Sequence, residues 1–410
     1  MHTSMKILML CQRLPYPLNK GEKIRAFHHL RSLARNHEVT LVSTEDDRRN
    51  VAYRDRLREF AEEIAIVPIS AGWAKVRSVA ALGLGRSMMV GYFSAGGLRK
   101  RILALLTRKT YDLIFVYSSA MAQYVGQIQQ IPIIVDFVDL DSHKWLQYAK
   151  RAGFPLSLLY LIEAKRMARY EQHVARLATT VVFVSHAEAA LFQASGAGAR
   201  TAVVPMAVDT EYFSPNSAPA AVESPTLIFT GVMDYVPNVD AVQYFAHEIY
   251  PRIRQMEPDV RFLIVGQRPN RVVRRLGGIP GIAVTGKVAD VRPYFARAHV
   301  AVAPLRLAQG MQTKVLEAMA MGLPVVATSK AYQGLEARPG EDLFVEDDPA
   351  SFADVVTRLL RTPSLRARVG TAGRAFVEDR HSWRVSMARL DQVVAEVTQR
   401  PGAPTLQSVG

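Results

Sequence analysis

Short apolar runs alternate with longer amphipathic stretches from one end of the chain to the other. Runs of about five apolar residues bounded by turn formers are strand-length, and apolar positions spaced three or four apart are helical. The first half of the pattern predicts strands over 6–10, 39–43, 64–69, 113–117, 133–137, 181–185 and 202–205, with helices over 22–35 and 156–177. A break at Ser214-Pro215-Asn216-Ser217-Ala218-Pro219 reads as a linker. Beyond it, strands are predicted over 226–231, 261–266, 282–286, 300–305, 325–328 and 343–345, and helices over 240–255, 291–297 and 312–321. Two more helical patterns, 363–377 and 382–398, close the chain. Such alternation predicts an α/β protein with two consecutive Rossmann-like, doubly wound domains. Domains of this kind bind ligands at the carboxyl ends of their strands, so a site between the two is expected.

Composition agrees with two buried cores. The 410 residues are 49% hydrophobic and 21% charged, a globular balance long enough for two domains. The lone Cys11 rules out an internal disulfide framework and reads as a small apolar residue at the end of the first strand. Lys6 is the only Lys or Arg before the first apolar run, which is shorter than a signal-peptide core of roughly 7–15 residues. No stretch approaches the roughly 20 apolar residues of a spanning helix. A cytoplasmic protein is the expectation.

Charge is uneven. The formal net charge is +14, and residues 1–205 carry 28 Lys and Arg against 16 Asp and Glu. A basic half invites nucleic acid, an anionic membrane surface or acidic small substrates as partners. Nothing resembles a zinc finger, an aromatic RNA-binding motif or a basic arm, so no nucleic-acid partner is expected. Basic residues Lys75, Arg77, Arg86, Arg99, Lys100, Arg101, Arg108 and Lys109 interleave with Trp73, Met88, Met89, Tyr92 and Phe93. This stretch suits a peripheral seat on the inner face of the membrane, or equally a solvated helical surface over ordinary core.

The segment from Leu307 to Ala327 carries the most chemistry. A loop, Gln309-Gly310-Met311-Gln312, leads into a predicted helix with Thr313, Lys314 and Glu317 in its early turns. Gly322-Leu323-Pro324 stops that helix before the apolar Val325-Val326-Ala327. Backbone N–H groups and the positive helix end converge at such a start, which suits an anion such as a diphosphate. A carboxylate one turn inside can accept hydrogen bonds from two adjacent hydroxyls, as on a ribose. Lys314 is a candidate diphosphate partner or a solvated helix residue, and Glu317 a ribose ligand or a capping carboxylate. Gly231, Gly266 and Gly286 each follow a predicted strand, where glycine lets backbone approach a ligand or simply ends the strand. None builds a Gly-x-Gly-x-x-Gly fingerprint, which counts against a nicotinamide cofactor. His28 and His29 are neighbours on a helix and point different ways, so no metal site is expected.

These motifs resemble the retaining glycosyltransferases of family 4. Thr230-Gly231-Val232-Met233-Asp234-Tyr235-Val236-Pro237-Asn238-Val239-Asp240-Ala241 is similar to the opening of their donor domain. Val284-Thr285-Gly286-Lys287-Val288-Ala289-Asp290-Val291 resembles the segment that reads the nucleotide base near Val288. Gln12-Arg13-Leu14-Pro15-Tyr16-Pro17 through Lys20, Gly21 and Arg25 matches the first loop and helix, and Asp136 through Trp145 the mid-domain acidic loop. The group most resembled is the sugar transferases associated with exopolysaccharide and PEP-CTERM protein-sorting systems.

The resemblance implies a GT-B architecture, two Rossmann-like domains facing across a cleft. Residues 1–208 would bind the acceptor, 209–224 would link, 225–380 would bind the donor, 381–398 would cross back as a helix, and 399–410 would fray. It implies a nucleotide-sugar donor, a glycan or polyprenyl-linked acceptor, and no cofactor. Glu317 would hold the donor ribose, and Gly310, Met311, Gln312 and Thr313 would meet the diphosphate and sugar through their backbone. Asp139 would position or deprotonate the acceptor hydroxyl and His143 would touch the donor sugar, with helix capping by Asp141 or Ser142 the alternative for this loop. Lys20, Gly21 and Arg25 would form a phosphate or acceptor loop. Two departures stand out. The family's first signature glutamate is Gln309 here, and the usual Arg and Lys after the first donor-domain strand are replaced by Met233 to Asn238. The leaving diphosphate then needs other cations, from Lys314, Arg306, Arg268, Arg25 or Lys20. A nucleotide-sugar epimerase and a degenerate nucleotide-sugar-binding partner protein are the alternative functions.

Overall fold

The structure is a computed structural model that describes residues 4–18, 20–128, 130–215, 224–308 and 310–399. It forms two compact units, one of residues up to Val204 with those from Met387 on, the other of Pro205–Ser386. The first unit holds a seven-stranded sheet: β1 (Lys6–Cys11), β2 (Glu38–Glu45), β3 (Glu63–Pro68), β4 (Leu113–Tyr117), β5 (Ile133–Val138), β6 (Thr180–Phe183) and β7 (Thr201–Val203). The second holds six: β8 (Thr226–Thr230), β9 (Arg261–Val265), β10 (Ile282–Gly286), β11 (Val300–Ala303), β12 (Val325–Ala327) and β13 (Phe344–Val345). Pairing is parallel throughout both sheets.

Every strand read from the hydrophobic pattern is present, with ends displaced by no more than two residues. For the central strands the reason is burial on both faces, which makes a parallel strand a continuous apolar run with no alternation to misread. Ile7 through Cys11 are all fully buried, and so is every residue of β8 to within a few percent. Helices were less legible. The helix expected over 240–255 begins at Val236, with Pro237 in its first turn, and opens into a wider π turn at Phe245–Ile249. Pro251 explains the interruption, because it has no N–H to donate and its ring needs room in the preceding turn. Helices Ala71–Gly83, Gly96–Arg108, Asp141–Ala149, His186–Ala194 and Pro349–Arg361 were not separately predicted.

Strand order in the first sheet is β3-β2-β1-β4-β5-β6-β7, and in the second β10-β9-β8-β11-β12-β13. Each sheet therefore reverses direction of growth once, between β1 and β4 and between β8 and β11. At such a reversal the loops beyond the two strands part, leaving a crevice at their carboxyl ends.

A buried ion pair joins helix Gly21–Asn36 to the middle of the first sheet. Arg25 donates from Nε to Oδ2 of Asp136 at 3.0 Å, and both side chains are fully buried. Another guanidinium nitrogen donates to the Val204 carbonyl at 2.8 Å, tying down the chain where the first unit ends. The second Asp136 oxygen accepts the N–H of Val138 at 2.9 Å. His29, one turn along, lies 3.5 Å from the same carboxylate and edge-on to Phe115 and Tyr117. Burial and the adjacent Arg25 hold its imidazole well below the usual range, so it is neutral.

Glycines set the packing of the second unit. A Cβ on Gly266 would lie 1.6 Å from the Gly231 carbonyl oxygen, so the chain exits of β8 and β9 meet backbone to backbone. Helix Pro363–Arg380 presses Gly370 against the Gly322 carbonyl, where a Cβ would come within 2.0 Å. Two outcomes follow from these contacts. Arg25→Met strands a buried carboxylate and should cost about 3–5 kcal/mol in urea unfolding, with part recovered in Arg25→Met/Asp136→Asn. Gly370→Ala has only backbone to displace, so it should destabilise the second unit by about 1–3 kcal/mol in the same assay.

Candidate nucleotide-sugar site

The loop after β11 and the helix that follows it sit at the reversal point of the second sheet. Thr328 holds the loop from β12, donating through its hydroxyl to the Leu305 carbonyl at 2.5 Å. Gly310 adopts φ of +60°, a left-handed turn that glycine enters without strain. The Gln312 side-chain amide donates back to the Gly310 carbonyl at 3.2 Å, closing the turn. Helix Thr313–Ala320 then begins, with Gln312 at its N-cap position but no side-chain cap. Its far end is locked in two ways. Gly322 N–H bonds the Met319 carbonyl at 2.9 Å and Leu323 N–H the Ala318 carbonyl at 3.1 Å, a Schellman ending with Gly322 left-handed. Arg374 donates to the Ala320 carbonyl as well, placing a cation at the negative helix end, and to the Phe213 carbonyl at 3.0 Å.

Lys314 and Glu317 share this helix one turn apart. Lys314 Nζ donates to Oδ1 of Asn238 and lies 4.3 Å from the centre of the Phe229 ring. The Asn238 amide donates in turn to the Val232 carbonyl at 2.9 Å, and it occupies the space where a Gly231 side chain would be. The lysine is thus fixed between the strand-β8 exit and the helix rather than solvated. Both residues keep some exposed area, but the surrounding protein desolvates their charges. Desolvation brings the ammonium down to about 7, opposed by the negative charge of Glu317. Desolvation likewise pushes the Glu317 carboxyl up to about 7, opposed by Lys314. A cation and a carboxylate poised near neutrality are what an arriving diphosphate and diol would re-ionise. Asn238 and Phe229 have no role assigned from sequence; the signal for Asn238 is Pro237, a first-turn proline of the helix that begins at Val236.

The other donor-side residues are placed as follows. Met311 is buried, while Gly310, Gln312 and Thr313 are partly open. Gln309 lies outside the described residues. The tight fits of Gly231 and Gly266 are to Asn238 and to each other, so packing alone accounts for both glycines. Gly286 meets nothing within 4 Å and is required by its φ of +72°. Val288 follows it, half-buried. Of the alternative cations, Arg306 pairs with Asp240 at 2.5 Å and covers Tyr244. Arg268 stands exposed beyond β9 with a left-handed φ of +58°, and only a loose 3.8 Å approach to Asp234.

The first unit gathers acids at the end of β5. The strand bulges between Asp136 and Val138, and Val138 takes φ of +65°, a strained value for a β-branched residue. The kink re-aims the chain into Asp139 and on to helix Asp141–Ala149. Burial raises the Asp139 carboxyl, against the pull of Lys144 and Arg25 and with the push of Asp136. Burial also lifts Asp141 to about 7, and Glu171 and Glu188 to about 8. His143 is half-buried and its imidazole is lowered by desolvation and Lys150. The capping alternative for Asp141 and Ser142 does not hold. Leu140 occupies the N-cap, and the carboxylates that take the helix-start N–H groups are Glu188, from Leu140 at 3.4 Å, and Glu171, from Ser142 at 2.9 Å.

Arg25 is a correction. The phosphate-loop role expected for it fails, because its guanidinium is committed to Asp136 and Val204 in the core and cannot reach a ligand. Its position as the fifth residue of the amphipathic helix Gly21–Asn36 puts it on the inward face, and sequence carries no sign of the buried acid that meets it. Lys20 and Gly21 stay exposed at the helix start, and a Cβ on Gly21 would touch nothing within 4 Å. Among the described residues, no three His, Cys, Asp or Glu side chains are placed to hold a metal ion.

The glycosyl transferase 4-like domain description matches residues 23–207, and the description of glycosyl transferases group 1 matches residues 224–362. A GDP-mannose-dependent monoacylated alpha-(1-6)-phosphatidylinositol monomannoside mannosyltransferase of Corynebacterium glutamicum is 30% identical over 156 residues, covering 35% of this chain and 41% of that protein. A GDP-mannose-dependent alpha-(1-6)-phosphatidylinositol monomannoside mannosyltransferase of Mycolicibacterium smegmatis is 28% identical over 242 residues, covering 53% and 62%. The chain thus spans less than two thirds of the length of these curated relatives. Among solved structures, sucrose-phosphate synthase of Thermosynechococcus elongatus aligns with a TM-score of 0.72 at 16% identity, covering 95% of this chain and 98% of that one. HepE of Anabaena, solved with UDP, aligns at 0.69 and 15% identity, covering 96% and 100%. These likenesses show the fold, GT-B. With one match over each sheet, the chain belongs to the glycosyltransferases built from a 4-like first domain and a group 1 second domain.

Proposed function

We propose that the protein is a retaining glycosyltransferase that moves a hexose-type sugar from a nucleoside-diphosphate donor to a glycan or lipid-linked acceptor in cell-surface polysaccharide synthesis. The observation that carries this reading is the Lys314–Glu317 pair on a short, locked helix at the reversal point of the second sheet. Glu317 would take the two ribose hydroxyls, and the loop from Gly310 to Thr313 would take the diphosphate. Lys314 would neutralise the leaving group as the sugar C1–oxygen bond breaks. Arg268 is the second cation we assign to it, because Asp234 holds it only loosely. A new bond then forms from the acceptor oxygen to C1 on the same face, and the acceptor proton leaves with Asp139 or a phosphate oxygen. A raised Asp139 carboxyl is suited to that proton, and a neutral His143 to a sugar hydroxyl. Catalysis of this kind rests on positioning and charge neutralisation rather than on a protein nucleophile.

The mannosyltransferase relatives are named for GDP-mannose and phosphatidylinositol mannosides, so GDP-mannose and glycolipid acceptors head the panel to be tried. Gln309 in place of a glutamate keeps a non-catalytic donor-binding protein as the second reading.

In a thermal-shift screen of nucleotide sugars, one donor should stabilise the wild type, by about 2.7 kcal/mol at a hundredfold excess over Kd. Glu317→Ala should abolish that shift. Release of nucleoside diphosphate on adding acceptor supports transfer. Free epimer without release points to an epimerase, and binding with neither outcome to a binding partner. Donor affinity should also peak near pH 7. Below it Glu317 is protonated and loses ribose acceptor capacity, and above it Lys314 loses its charge. Calorimetry at pH 8 should therefore show proton uptake on donor binding, and Lys314→Met should remove it. A flat affinity between pH 6 and 8 counts against these roles.

A further inference from the structure

Helix Ala71–Gly83 is packed the wrong way round for a helix on a soluble surface. Its buried residues are small, Ala74 at 0% exposure and Ala81 at 7%. Gly91 of the following helix presses so closely that a Cβ there would lie 2.6 Å from Ala81 and 2.8 Å from the Arg77 carbonyl. The large apolar residues point outward instead: Trp73 is 68% exposed and Val79 67%, with Val76 and Leu84 also exposed. Spacings of three, three and five residues keep them within one broad face. Surface helices normally bury such a stripe, and contiguous exposed apolar faces mark interaction sites.

A second exposed apolar element is tied to the first. Helix Leu156–Leu177 donates from Arg166 to the Leu82 carbonyl at 2.6 Å, and its Glu163 accepts from Ser87, Met88 and Met89 at 2.7–3.1 Å. At the start of this helix Phe154 is 84% exposed, with Leu156 and Leu158 about half exposed. The charge along the segment that holds the first of these elements is of one sign. Between Glu63 and Asp112 the chain has no acidic residue at all, against eight Lys and Arg. Arg101, Arg108 and Lys109 are answered by Glu62 and Glu63, which leaves Lys75, Arg86, Arg99 and Lys100 with no acidic partner among the described residues.

We propose that the Trp73–Val76–Val79–Leu84 face is a docking surface for an anionic lipid bilayer, with the apolar side chains entering the interface and the unpaired cations meeting lipid phosphates. Charge selects this occupant over a second copy, since self-association would oppose two like-charged surfaces. Trp at the apolar–polar boundary fits the same medium. No helix of the described residues is long and apolar enough to span a membrane, so attachment would be lateral and salt-sensitive. The inference is independent of the donor site, because vesicle binding needs no sugar transfer.

Flotation of the full chain with phosphatidylglycerol-rich vesicles tests it. The wild type should float with these vesicles, and at least tenfold less with pure phosphatidylcholine or at high salt. Trp73→Asp/Val79→Asp should lower the bound fraction at least tenfold with an unchanged melting temperature, since both residues are exposed. Lys75→Glu/Lys100→Glu, which leaves the apolar face whole, should lower it too. Equal flotation on neutral and anionic vesicles, or wild-type flotation retained by both variants, overturns the proposal. So does a wild-type dimer in solution that Trp73→Asp/Val79→Asp dissociates without any vesicle binding.

Discussion

The buried pair of Arg25 and Asp136 is the constraint on which the first unit depends. One carboxylate at the end of β5 answers the guanidinium of the first helix, and its other oxygen takes the N–H of Val138 two residues on. The same guanidinium reaches the Val204 carbonyl, where the chain leaves the first unit. Helix, central strand and exit are therefore bound to two buried charges. In a low-dielectric interior neither charge tolerates loss of the other, so the three elements hold a single arrangement. That arrangement forces the left-handed Val138, and Val138 sends the chain into Asp139 and His143. A core ion pair thus sets where the candidate acceptor-side groups stand.

In the second unit the equivalent constraint is steric rather than electrostatic. Gly231 and Gly266 let two strand exits touch, and Gly370 lets helix Pro363–Arg380 touch the turn after the signature helix. Arg374, four residues beyond Gly370, then fastens the carbonyl end of that helix. A helix of eight residues has little stability of its own. Pinned at its end by a Schellman turn and a guanidinium, it can present Lys314 and Glu317 without loosening. Holding two titratable groups near neutrality costs desolvation, and the rigid scaffold is what sustains it.

Much of this was legible beforehand. The strands, the helix start after the Gly310 turn, and the two-sheet fold follow from burial on both faces of parallel sheets and from local turn chemistry. Both are properties of short stretches of chain. Arg25 was misread because an amphipathic pattern shows which face is inward but not what a charge on it will meet. Asn238 and Phe229 went unassigned because their contact with Lys314 spans more than 70 residues of chain. The inverted helix at Trp73 was half legible. Its basic and aromatic composition was visible, but composition cannot say which side chains face out.

What the sequence alone determined is therefore local: strand positions, glycine turns, the signature loop, the uneven charge and the family they resemble. Tertiary structure decided which charges are partnered. It turned Arg25 from a ligand cation into a core strut, fixed Lys314 against Asn238, left Arg268 loosely held, and set Trp73 toward solvent. The physical reason is the same in each case. The energy of a charge or an apolar face depends on what surrounds it, and only the folded chain brings residues from distant segments close enough to supply those surroundings.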